Sequence, residues 1–541
     1  MKIFKACLML VLTGFSGACL ADYDIAINNG RVMDPETGFD AIRNVGIKDG
    51  RIAIITKKSI SAKEKIDATH LVVAPGFIDT HFHHTRPLGY KLALRDGVTT
   101  AMDLEAGTYG PRVDEWYKMH QGRSQVNYGT SSGHEFARSK VTQHLDDEVL
   151  LDAPFSVGSS RGVSTDWATK VLGEEDGNEM LKLLDEGLRQ GAIGVASTVG
   201  YFPGATAREM YEVQRVGANY GRMTSVHLRY TPGTATTEAN GAQEILANAV
   251  ALDAPAVINH FNNPGWELVQ ELLVNFRAKG YNVWGEIYPY AAGSTTINAE
   301  FIAPSVWVEQ LGHKYEDTMQ DPITGEFFTL ETYKETLAKN PTKQIVLYKM
   351  DPEAIPDWCR LPGTVLASDA MMYPGGWDDA PTWDTPYEDL PNTHPRFSGT
   401  RGTCLRIARE HDIPLMSILA SASFNAAKHL GETGLKSMQE RGRIQQGMIA
   451  DITILDPKTV RDNATYAKGT LPTSGIPYVI VNGVIVVKDS VVLKDVTPGQ
   501  PIRFGTEKKS RFTPVSSELW KASFLAAPTG FYGTDVQDHL H

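Results

Sequence analysis

His81 and His83 close the stretch Ala74-Pro-Gly-Phe-Ile-Asp-Thr-His-Phe-His, two apart at the end of an apolar run. In an extended strand, residues i and i+2 face the same way, about 6.5 Å apart, so both imidazoles can reach one metal ion. Three further apolar runs end on a ligating residue: Thr224-Ser-Val-His227, Val257-Ile-Asn-His260 and Val365-Leu-Ala-Ser-Asp369. A lone buried histidine is usually a packed core residue. Four histidines and an aspartate at the ends of separate strand-like runs predict a metal site instead. His70, His120, His134, His144, His313, His411, His429, His539 and His541 have no such placement and are read as surface or packing residues. His84 stays open between assisting the site and merely following the pair.

The elements that must position these residues follow from the pattern. From Tyr23 onward short alternating runs are separated by Asn29-Gly30 and Asp49-Gly50, which are hairpin signals. The style returns near the C-terminus, where Asn482-Gly483 separates Tyr478-Val-Ile-Val from Val484-Ile-Val-Val. The two pieces, 22–72 and 441–500, are each small and are expected to pair into one accessory β-sandwich. Between them, 73–440 alternates strand-like runs (71–77, 99–104, 194–198, 223–227, 256–260, 282–287, 364–367) with helical stretches (178–189, 207–220, 266–279). This α/β alternation predicts a TIM-like (β/α)8 barrel, whose active face lies at the C-terminal ends of its strands. An acidic, aromatic-containing stretch at 301–362 breaks the rhythm as an insertion or lid. The extension 501–541 carries no functional signal.

Composition narrows the class. Across 541 residues, 52 Lys and Arg against 64 Asp and Glu give a net charge of −12, which argues against a nucleic-acid binder relying on phosphate neutralisation. The 49 Gly and 29 Pro are scattered, unlike those of collagen-like or low-complexity chains. Lys2 and Lys5, an uncharged stretch from Ala6 to Ala18 and small residues before Asp22 predict a signal peptide over 1–21. The apolar stretch is too short to span a membrane. The expected location is therefore periplasmic or secreted; Cys19 after Ser-Gly-Ala is only a weak lipid-attachment match. Cleavage after Ala21 leaves Cys359 and Cys404, either paired or two separate buried thiols.

These residues resemble the amidohydrolase superfamily: Gly-Phe-Ile-Asp-Thr-His-Phe-His, single histidines on two later strands, a late Ser-Asp, and Gly442-Arg-Ile-Gln-Gln-Gly447. Within it, four segments look like the N-acyl-D-amino-acid deacylase (D-aminoacylase) branch. They are Tyr201-Phe-Pro-Gly204 after Gly191-Ala-Ile-Gly194, Tyr288-Pro-Tyr-Ala-Ala-Gly-Ser294, His394-Pro-Arg396 and Gly475-Ile-Pro-Tyr. The resemblance covers roughly 23–500. It implies one or two divalent ions, usually zinc, with His81 and His83 at one position, His227 and His260 at the other, and Asp369 as metal-associated general base. In two places the sequence departs from the branch. Ala106 stands where that branch has a cysteine ligand, so Glu105 is nominated as the bridging carboxylate. Asn262 stands where it usually has a lysine.

The implied chemistry is hydrolysis of a C–N amide bond by a metal-activated hydroxide, with Asp369 taking a proton and later giving it to the leaving nitrogen. Arg396 is the candidate partner for a substrate carboxylate, because guanidinium binds it through two parallel hydrogen bonds. Tyr290 and Ser294, just past a strand end, are expected to assist, and Tyr201 to line the pocket. The expected substrate is a small N-acyl amino acid or related amide, with neither nucleic acid nor a membrane span involved. Two alternatives stay open. One is a dipeptidase or cyclic-amide hydrolase of the same superfamily; the other is a non-catalytic binding protein, which would be expected to have lost a ligand or the base.

Overall fold

A computed structural model of the chain describes residues 23–151, 161, 164–229, 240–371 and 383–520. The proposed signal peptide and the end of the C-terminal extension lie outside the described residues. Among the described residues, no helix is long and apolar enough to cross a membrane.

Both ends of the chain join in one nine-stranded sheet. The N-terminal side supplies β1 (Tyr23–Asp34), β2 (Phe39–Lys48), β3 (Arg51–Thr56), β4 (Ala62–Asp67) and β5 (Val72–Pro75). β17 (Ile452–Leu455), β18 (Tyr478–Val481), β19 (Val484–Lys488) and β20 (Val491–Val492) come from the other end. The seam is the antiparallel pair of β5 with β17, Val72 facing Leu455 and Pro75 facing Ile452. A register shift in β1 between Ile27 and Gly30 lets its first half pair with β4 and its second with β5. Ile27, Val45, Ile66, Ile452 and Ile480 pack inside as a core of its own.

The barrel has eight parallel strands in chain order, β6 (Phe77–Asp79), β7 (Val98–Thr108), β8 (Asn127–Gly133), β9 (Val195–Ser197), β10 (Thr224–Val226), β11 (Ala256–Ile258), β12 (Val283–Ile287) and β16 (Val365–Leu366). A bridge between Phe82 and Ala370 brings the last strand's end back to the first. The single strand expected over 71–77 is in fact two, in different sheets, with Gly76 between them. A Cβ on Gly76 would lie 2.3 Å from Thr99 Oγ1, so only glycine lets the chain pass there. β8 has no counterpart among the strand-like runs expected from the sequence, because Asn-Tyr-Gly-Thr-Ser-Ser-Gly is fully buried yet without aliphatic residues. Between β12 and β16 the chain leaves the barrel and builds an antiparallel sheet from β13 (Ala292–Thr296), β14 (Met319–Gln320) and β15 (Gln344–Tyr348). This excursion thus begins before residue 301.

One buried ion pair ties the fold to the site. Arg401, on the helix Arg396–Glu410, holds Asp79 at 2.6 Å and donates to the Leu366 carbonyl at 2.8 Å. The other Asp79 oxygen accepts the backbone N–H groups of His81 at 3.2 Å and Ser368 at 3.1 Å. The ends of the first and last barrel strands are thereby locked in register.

Buried neutral histidines make this fold sensitive to acid. Burial pushes His120 down to about 4 and His429 down to about 3. Both must gain a proton on unfolding below pH 6.5, so each contributes stability that is lost as pH falls through that range. From pH 7 to 5 the two together should cost on the order of 4 kcal/mol. Asp96, raised by burial to about 6, gives back about a third of that by taking up a proton in the fold. Thermal melts at the two pH values should show the drop, and His120→Gln should reduce it; a pH-independent melting temperature would refute this account.

Candidate metal centre

The ligating side chains converge at the C-terminal mouth of the barrel. His81 and His83 follow β6, His227 follows β10, His260 follows β11, and Asp369 follows β16. His260 and Asp369 sit at positive φ, 29° and 50°, a backbone conformation that few non-glycine residues adopt. Glu105 comes from the middle of the long strand β7. Gly200 leaves the room His227 needs, since a Cβ there would come within 2.6 Å of its ring.

Two donor groups result, sharing one carboxylate. His81 Nε2 and His83 Nε2 are 3.1 Å apart, and Glu105 Oε2 lies 2.9 Å from the first and 3.2 Å from the second. Asp369 Oδ1 completes the group at 3.4 and 3.6 Å from the same nitrogens. On the other side, His227 Nδ1 and His260 Nε2 are 2.9 Å apart, with Glu105 Oε1 at 3.0 and 3.1 Å. Ligands at 2.0–2.1 Å in a tetrahedron stand about 3.3 Å apart, so these spacings suit zinc-sized ions.

The outer nitrogens say which lone pairs face inward. His83 Nδ1 is 3.0 Å from Asp103 Oδ2, and His81 Nδ1 is 3.2 Å from Glu286 Oε2. A proton on each Nδ1 satisfies those carboxylates and leaves both Nε2 lone pairs aimed at each other, an arrangement only a cation relieves. Against the effect of burial, Glu105 and Asp369 push His81 up to about 10. Likewise, although burial would raise it, Glu105 is held well below the usual carboxylate range by His81, His227 and His260. The donor set therefore fits a divalent ion at each position.

A cleft opens over the ligands, lined among others by Tyr201, Tyr288 and Arg396. Arg396 lies on its wall, 1% exposed, with Nη1 2.9 Å from Asp369 Oδ2. Among the described residues, Nε has no hydrogen-bond partner, while Nη1 is held by the ion pair with Asp369. Burial resists the charge on Asp369, but Arg396 first and His81 next hold it well below the usual carboxylate range.

The other sequence candidates divide. Tyr201 lines the cleft, its ring centroid 4.5 Å from that of His227 and its hydroxyl 3.0 Å from Thr295 Oγ1. Ser294 lines it too, but its hydroxyl already donates to the Ile345 carbonyl at 2.8 Å, within the β13–β15 pair. Tyr290 does not face the cleft. Its hydroxyl lies 2.9 Å from Thr403 Oγ1, behind the wall, and Tyr288 occupies the position expected of it, with the Arg396 guanidinium 4.8 Å over its ring. Asn262 points at the backbone, donating to the Tyr288 carbonyl at 2.9 Å and so fixing that tyrosine. His84 lies outside both donor groups and packs edge-on against Phe397.

Several cleft and supporting residues escaped sequence reasoning. Asp103 was readable, two residues before Glu105 on one strand face. Glu286, near the end of β12, was not distinguished from ordinary strand polarity. Arg161 lines the cleft, paired with Glu135 at 2.7 and 2.8 Å and stacked 4.1 Å over Tyr201. Lys349, next to β15, enters from the inserted sheet, where burial, then Arg396, lowers it to about 8. Nothing in the local sequence of either marks it for the site.

No family model matches the chain. It is similar to a D-aminoacylase of Alcaligenes xylosoxydans xylosoxydans, 25% identical over 494 residues that cover 85% of this chain and 94% of that protein. Among solved structures it resembles an N-acyl-D-glutamate deacylase from Bordetella bronchiseptica, complexed with zinc and a phosphonate mimic of the tetrahedral intermediate. That match has a TM-score of 0.69 at 23% identity and covers 89% of this chain and 99% of the other. A D-hydantoinase shares the fold more loosely, with a TM-score of 0.55 at 16% identity over 90% of this chain and all of the other.

Proposed function

We propose that this protein is a metal-dependent amidohydrolase of the D-aminoacylase kind, releasing the amino acid from N-acyl-D-amino acids. The observation that carries this is one buried carboxylate, Glu105, set between two imidazole pairs, with Asp369 and Arg396 facing the same cleft. When bound there, divalent ions polarise the scissile carbonyl and make water acidic enough to attack near neutral pH. Zinc is our choice because the deacylase neighbour holds it.

The chain's own residues do the rest. Asp369 directs Oδ1 toward the imidazole nitrogens, where it can take the proton of the attacking water and pass it to the departing amine. Arg396, on the cleft wall with Nε unpartnered among the described residues, can pair with the substrate carboxylate and orient the amide toward that oxygen. Tyr201 and Tyr288 flank the space between them. Among the described lining residues the only acids are Glu105 and Asp369, both committed to the centre. A dipeptidase would need another acid for a free α-amino group, which favours an N-acylated substrate. The D-series assignment rests on the likeness to D-aminoacylase. The lysines and short apolar run of residues 1–21 support export.

The direct test is amine release from matched N-acetyl-D- and N-acetyl-L-amino acids, with a chelator-treated control. Chelator-sensitive release in the D series is expected. Silence in both series, with turnover of a cyclic amide, would replace the deacylase reading. Arg396→Met should raise KM for N-acyl amino acids roughly 10- to 100-fold, the worth of a charge-assisted hydrogen bond. The C-terminally amidated analogue should be little affected, and an equal loss on both substrates would assign Arg396 a structural role.

A further inference from the structure

We propose that Cys359 and Cys404 are a disulfide site whose bond covalently closes the segment bearing Asp369 onto the helix bearing Arg396. Cys359 lies in the short helix Ile355–Arg360 and Cys404 in the helix Arg396–Glu410. Both are buried, at 5% and 1% exposure, and their sulfurs are 2.9 Å apart. Non-bonded heavy atoms pack at about 3.5–4.0 Å, and a thiol is only a weak hydrogen-bond donor, so simple packing accounts poorly for this approach.

The surroundings exclude the other use of paired thiols. Among the described residues, neither sulfur belongs to a group of His, Cys, Asp or Glu able to hold a metal ion. Both cysteines belong to the main hydrophobic core, as do Trp358 and Leu405 beside them in the chain, with Arg401 and Asp96 near Cys404. The two helices are also joined at their solvent side, where Arg360 Nη2 donates to the His411 carbonyl at 3.0 Å. The sulfurs therefore meet across an interface that is already fixed.

Bond formation needs a disulfide oxidant such as oxidised glutathione. One cysteine thiolate attacks its S–S bond and expels a glutathione thiolate; the second attacks the mixed disulfide and expels the other. Two thiols are oxidised, one external disulfide is reduced to two thiols, and the two protons go to the departing thiolates. The closed segment spans 45 positions and contains both members of the Asp369–Arg396 ion pair.

Mapping by mass spectrometry tests this on the full chain. The protein is exposed to oxidised glutathione, unfolded, alkylated without reductant and digested. The expected product joins the Cys359 peptide to the Cys404 peptide and separates on reduction. Alkylation of both cysteines as free thiols, a separate glutathione cap on each, or linkage of either to Cys7 or Cys19 would overturn the proposal. Cys404→Ala should lose the linked peptide and melt on the order of 5 °C below the oxidised wild type. An unchanged linked mass in that variant would show the link to be misassigned. Should the variant fail to fold, the wild-type map alone decides.

Discussion

Asp369→Asn should keep its metal and lose about 10³ in kcat, the middle of the range for a single general acid–base group. Asparagine preserves the shape of the side chain and an oxygen that can still face His81 and His83, which lie 3.4 and 3.6 Å from Oδ1. What it removes is the ability to accept a proton and return it. The four imidazoles and Glu105 remain to hold the ions, so elemental analysis should find a metal-to-protein ratio like the wild type's. Replacement also leaves the Arg396 guanidinium without its anionic neighbour at 2.9 Å, so substrate carboxylate should bind no more weakly. The expected signature is thus a kcat defect with KM unchanged or lower. Near-normal turnover would remove Asp369 as the base. Parallel loss of metal and activity would make it a ligand first.

The second large effect belongs to Glu105→Ala. Its two oxygens divide between the donor groups, Oε2 toward His81 and His83, Oε1 toward His227 and His260. Removing both at once leaves His227 and His260 with no carboxylate in their group, and His81 and His83 with Asp369 alone. We expect the metal-to-protein ratio to fall by half or more and kcat/KM to drop by more than about 100-fold, beyond what loss of an outer-sphere partner gives. Glu105→Gln should fall between, since an amide oxygen can still ligate on one side. A metal ratio untouched by Glu105→Ala would place the carboxylate outside the coordination sphere.

These residues differ in how readable they were. His81 and His83 announce themselves because a strand's period of two turns a spacing into a shared direction, and His227, His260 and Asp369 because each closes an apolar run. Glu105 lies inside a buried eleven-residue strand and has no terminal position to mark it; only the missing ligand at Ala106 drew attention to it. The pair Tyr288 and Tyr290 shows the opposite limit: the segment was recognised, but which tyrosine faces the cleft depends on Asn262 and Thr403, each on a distant element. The barrel was legible where its strands are aliphatic and illegible at β8, where serine, threonine and glycine are buried by closure of the ring rather than by their own hydrophobicity. Arg161 and Lys349 come from outside the repeating β–α pattern, so no periodicity could flag them.

The seam between β5 and β17 has a consequence in time. Val72 meets Leu455, a partner 383 positions later, so the first half of the sheet stays incomplete through most of synthesis. At 5–20 residues per second the wait is roughly 20 to 80 s. Throughout it, the β5 edge and the apolar residues behind it are available to other nascent chains. The hazard is greatest before release from the ribosome, and a chain stopped short of Ile452 should be a client of chaperones rather than a smaller enzyme.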